Sequence, residues 1–324
     1  MLLPKLVSFD SPPPKLNRAL SSNGSAEETK QSISDARRAI ITAMAKKILL
    51  PLTKYQKPYV SSRALEKFDI RCKDMDFKTG QVGPRVEPFI EPIPPHLVEE
   101  WLNETKPWTV RDDFVNDPDP DPWFDDDCPT NDAQTTATFF GILIDIHLSS
   151  NEKEEEPGIM VAHTNWGPFP PYCGKYVNRL SAGHGMRNWQ LKATYRQNIV
   201  PATCRCIYDG TLDADKPHAI CFLADDAPIQ DDLIATSELT SLLFVAIDIA
   251  LKAEFEKHRI IPVTLVTGSL STIRIVQAIC DFEKGTIELR KSPPVHFPKG
   301  VRADWQKYLT LLGWILGKPV GQTT

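Results

Sequence analysis

Ile33, Ile40, Ile41, Met44, Ile48 and Leu49 recur at helical spacing, and the capping-box-like Ser32-Ile-Ser-Asp35 stands before them. The pattern predicts an amphipathic helix that Pro51 ends, with Arg37, Arg38, Lys46 and Lys47 on its polar side. HLVEEWLNET (96–105) predicts a short helix stopped by Pro107. TATFFGILIDIHL (136–148) is rich in β-branched and aromatic residues and predicts a strand, paired across the acidic tip NEKEEEPG with IMVAHT (159–164). NWQLKATYRQ (188–197), ATCRCIYD (202–209) and HAICFLA (218–224) predict further strands.

SELTSLLFVAIDIALKAEFEKH (237–258) predicts a long helix capped by Ser237, with His258 in its last turn. Three short strands follow: IPVTLVTG, STIRIVQAIC and TIELRKS. RADWQKYLTLLGWIL (302–316) then predicts a final helix closed by Gly317 and Pro319. Strands in runs, not alternating with helices, predict an α+β fold with a mostly antiparallel sheet, a long central helix and a C-terminal helix.

Proline shifts the picture of the first third. The chain has 28 Pro against 16 Gly, concentrated toward the N-terminus. Residues 1–31 are too polar and broken to pack and read as a disordered tail. Residues 32–95 read as the basic amphipathic helix followed by a Pro-rich extended linker, five of whose prolines lie in 84–95. Residues 96–324 then form a single α+β domain. Within it, 112–132 places nine Asp and four Pro in one acidic loop.

A net charge of −5 excludes a general nucleic-acid binder, which needs a basic surface to release counterions. Seven scattered Cys, an odd number, are the mark of free thiols in a reducing compartment. The longest apolar run, Leu239 to Ala253, is interrupted by Asp248 and Lys252 and falls short of a membrane span. MLLPKLV is too short for a secretory signal, so the expected location is cytoplasmic. A mitochondrial leader is the alternative, opposed by Asp10 and by only three basic residues in the first 20.

VTLVTGSLSTIRIVQAIC (263–280) has the look of a dinucleotide fingerprint. After Gly268 no glycine follows until Gly285, and too little chain remains for a Rossmann half, so it predicts a hairpin with Gly268 at the bend. One turn on, Asp281, Glu288 and Arg290, with Glu238 on the preceding helix, follow the order of a PD-(D/E)xK nuclease, whose carboxylates hold a divalent metal. A charged hairpin edge explains the same letters. The run from Asp117 copies the start of an EF-hand loop but has Pro122 and Cys128 where Gly and Glu belong.

Cys204, Cys206, His218 and Cys221 are the one group with zinc-ligand character, although a regular strand would put His218 and Cys221 on opposite faces. His184, between two glycines, and Cys173 are candidates for a reactive pair. Trp166, Phe169, Tyr172, Tyr176 and Trp189 could line a ligand pocket in the same region. No complete catalytic constellation assembles. The sequence therefore points to a binding or interaction protein with a small-molecule or protein partner. The alternative is an enzyme, a Cys/His or zinc-assisted hydrolase or transferase, using residues 160–222.

From Ser237 onward, the apolar helix, IPVTLVTG, STIRIVQAIC, TIELRKSPPVHF and the tail GWILGKPVG together resemble the C-terminal part of filamentous-fungal proteins of unknown function that share a GKPxG-like ending. The resemblance covers under a third of the chain. It implies a fungal source and carries over no site residue.

Overall fold

The structure is a computed structural model that describes residues 34–55, 57–83, 86–107, 133–153, 156–168, 189–199 and 211–324. Its centre is a nine-stranded mixed sheet. The main strands are β1 (Ile70–Asp74), β2 (Trp166–Pro168), β3 (Trp189–Ile199), β4 (Ala219–Asp225), β5 (Ile260–Ser269), β6 (Thr272–Asp281) and β7 (Thr286–Lys291). They lie in the order β1-β7-β6-β5-β4-β3-β2, with Thr211–Leu212 added beside β3 and Val295–His296 beside β6.

The fold is α+β, but the sheet is mixed where the sequence predicts a mostly antiparallel one. β4 runs parallel to β5, and β1 parallel to β7. The first parallel pair follows from its connection, since the helix between β4 and β5 returns the chain to start the next strand from the same end. β1 was not anticipated. It is an edge strand whose Arg71, Cys72 and Asp74 are exposed, so it lacks an apolar signature.

Helices cover both faces. On one lie α1 (Asp35–Met44), the short helix Ser62–Lys67 and α4 (Thr236–Ala250), packed around Leu223, Val263, Leu265 and Ala278. On the other lie α2 (Pro95–Thr105), α3 (Ala133–Ser149), Ile159–His163 and α5 (Trp305–Ile315), packed around Ile220, Phe222, Val266 and Ile275. A sheet buried on both sides reads as continuous apolar strands, which is why β4 is buried throughout. A bulge between Leu191 and Ala193 changes the facing parity of β3, so Leu191 serves the first core and Tyr195 the second.

Residues 136–148 and 159–163 are helices, not a hairpin. Ala137, Phe140, Ile144 and Leu148 form the buried stripe of α3 at helical spacing. Ile142 and Ile146 make its other side apolar as well, which hides the period and leaves Ile142 48% exposed. Gly141 lets α3 approach the sheet: a Cβ there would stand 2.5 Å from the ring of Phe222.

The predicted long central helix is α4, and it stops at Ala250 after 15 residues. Arg37 ends it, donating to the carbonyls of Ala250, Phe255, Glu256 and His258. His258 lies beyond the helix, between Ala214 O and Thr323 Oγ1 at 2.8 Å each. Through Arg37, Ile41, Met44 and Ile48, the basic N-terminal helix belongs to the first core. Ile90 and Glu91, in the Pro-rich stretch, pair with Lys318 and Pro319 of the tail.

Candidate functional site

The β4–α4–β5 unit brings polar side chains to one place. In open sheets, ligands bind beyond the carboxyl ends of parallel strands, beside the helix that begins there. Here β4 ends in Asp225 and β5 in Thr267, Gly268 and Ser269. Alternation from Val263 and Leu265 puts Thr267 and Ser269 on the α4 side of the sheet. Alternation from Ala219, Cys221 and Leu223 puts Asp225 there too.

Arg274 pairs with Thr267 across the hairpin and reaches α4. Its Nε donates to Glu238 Oε1 at 3.1 Å and its Nη2 to Glu238 Oε2, and both side chains are fully buried. Its Nη1 donates to Gln230 O at 2.5 Å and Leu233 O at 2.7 Å, which ties down the loop Asp226–Leu233. Glu238 Oε2 also accepts from Ala235 N at 2.8 Å and so caps its own helix. This cap, not Ser237, starts α4.

Ser237 donates to Asp225 Oδ2 instead, while Asp225 Oδ1 accepts from Ala227 N at 2.9 Å. Burial lifts the Asp225 carboxyl, and Asp226 and Glu238 add to it; against the two hydrogen bonds the result is about 7. Three further hydroxyls complete the cluster. Ser241, one turn beyond Ser237, and Thr267 and Ser269 on β5 are 0%, 1% and 1% exposed. Among the described residues none has a hydrogen-bond partner. Two neighbouring hydroxyls are used: Thr236 donates to Lys57 O and Thr240 to Thr236 O.

His184, Cys173, Phe169, Tyr172, Tyr176, Cys204 and Cys206 lie outside the described residues. Trp166 and Trp189 are both buried but belong to different cores, on opposite faces of the sheet. His218 and Cys221 also face opposite sides. Burial lowers His218 to about 4, and its Nε2 lies 3.1 Å from Val320 O. Burial raises the Cys221 thiol to about 12. Both are therefore uncharged at neutral pH.

Asp281 and Glu288 sit on one sheet face, since Asp281 pairs with Thr286 and Glu288 with Ile279. Each is engaged by its own surroundings. Asp281 Oδ1 accepts from the Glu283 and Lys284 amides, and Arg259 lies 3.4 Å from Oδ2. Glu288 is paired with Lys73 at 2.6 Å and Arg290 at 2.9 Å. Although burial opposes it, these two cations bring the Glu288 carboxyl below its ordinary value. Arg290 also donates to Glu87 O and lies over the Phe89 ring. Among the described residues, no group of three or more His, Cys, Asp or Glu is arranged to hold a metal ion, and no helix is long and apolar enough to cross a membrane.

The hydroxyl cluster leaves only a trace in the sequence. Thr267 and Ser269 occupy alternate positions where β5 should be apolar, and Arg274 stands between Ile273 and Ile275. No protein-family model, curated protein or solved structure matches the chain.

Proposed function

We propose that the chain is a binding protein whose ligand site is the polar end of β4–α4–β5, formed by Asp225, Ser237, Ser241, Thr267 and Ser269. The observation that carries this reading is the set of three buried hydroxyls without partners. A buried hydroxyl left unpaired costs about 1–3 kcal/mol. Three on one side of one strand–helix junction are a poor solution for folding and a ready set of contacts for a ligand. The Asp226–Leu233 loop, which leads from β4 into α4, is held by Arg274 and by Lys291, whose Nζ donates to Asp231 O at 2.5 Å.

A nuclear magnetic resonance screen of small polar fragments on isotope-labelled protein tests the assignment. Shift changes should centre on Asp225–Ser241 and Gly268–Arg274. Binding that maps only to other surfaces would sink it.

A further inference from the structure

Resting on that site, we infer that its ligand is a small uncharged molecule carrying several hydroxyl groups. The charges of the site are already spent on one another. All three Arg274 nitrogens are engaged by Glu238 and by the Gln230 and Leu233 carbonyls, so among the described residues this arginine is not left to grip a carboxylate or phosphate. At the start of α4 the Ala235 amide is already bonded to Glu238 and the Thr236 amide to Pro58 O. The Arg274–Glu238 pair adds no net positive charge to draw a negative group.

A cation would meet two carboxylates that are already engaged. Both Asp225 oxygens are occupied by Ser237 and Ala227, and the Glu238 carboxylate is paired. An apolar molecule would leave Ser241, Thr267 and Ser269 unsatisfied, which a low-dielectric interior penalises. What the site still offers is three hydroxyls, each able to donate one hydrogen bond and accept two. The complement of that set is another group of neutral hydroxyls.

Calorimetric titration and thermal unfolding of the full chain with glycerol and myo-inositol test this, with inorganic phosphate and ammonium chloride as charged probes. Thr267→Val keeps the shape and removes one hydroxyl, and Ser269→Ala is the second variant. The inference expects saturable polyol binding by the wild type, weakened about tenfold in each variant. Equal polyol effects on wild type and variants would be general exclusion from the protein surface and would overturn it. A response only to phosphate or ammonium that Thr267→Val abolishes would overturn the ligand class and leave the site standing. Absence of any response would also overturn the class, and the site would then be judged by the fragment screen alone.

Discussion

At the scale of single residues, the interior holds Asp225, His147 and His218 in their neutral forms, with consequences that oppose one another. Asp225, at about 7, retains a proton that the unfolded chain releases near its ordinary value of 3.8. Its folded value is raised, so it costs stability progressively as pH rises between those values, with a limiting slope of about 1.4 kcal/mol per unit. His147 and His218 are both lowered to about 4 by burial. The unfolded chain binds their protons below about 6.5, so they cost stability as pH falls from there toward 4. Asp225→Asn removes only the first effect. Denaturant unfolding at pH 5 and pH 7 should show the variant gaining on the wild type at the higher pH. Parallel profiles would mean that Asp225 is charged in the fold.

Among the elements, α3 and β5 show why periodicity misleads where two apolar surfaces meet. Phe140 and Ile144 mark a helical stripe, but Ile142 and Ile146 fill the positions that would have revealed it. Gly268 illustrates a related error. It is not the bend of its hairpin, which falls at Leu270 with a φ of 50°, but a strand residue paired with Ile273 and Ala224. A Cβ there would stand 3.2 Å from Phe222 and 3.3 Å from Ala137, so the glycine is part of the floor on which α3 rests. Gly141 is the matching gap in α3. Gly141→Ala should destabilise the protein by about 1–3 kcal/mol through overpacking against Phe222. Replacing Phe222 by Leu in the same chain should recover part of that loss, as read by urea unfolding. An unchanged midpoint for Gly141→Ala would show that the helix has room to shift.

For the molecule as a whole, the short meander β5–β6–β7 and the final helix could be read from sequence because their partners are neighbours in the chain. What could not be read are the long-range choices. Ile70–Asp74 joins the sheet edge beside β7, Arg37 stops a helix more than two hundred residues away, and the tail is tied to Ile90 and Glu91. The site shares that difficulty. Asp225, Ser237, Thr267 and Arg274 are unremarkable singly, and only the parallel return of the chain through α4 makes them one group. Nor does the general pattern of the sequence separate polar residues that hold the fold from those left over.

Unfolding free energy makes that separation. Glu238 and Arg274 hold the fold. Ser241, Thr267 and Ser269 form no hydrogen bond in it among the described residues. The ligand-free triple variant Ser241→Ala, Thr267→Val, Ser269→Ala should therefore be at least as stable as the wild type in urea, and more stable by about 1 kcal/mol or more if its small cavities close. A loss of several kcal/mol would show that these hydroxyls serve the fold and would contradict their assignment to a ligand.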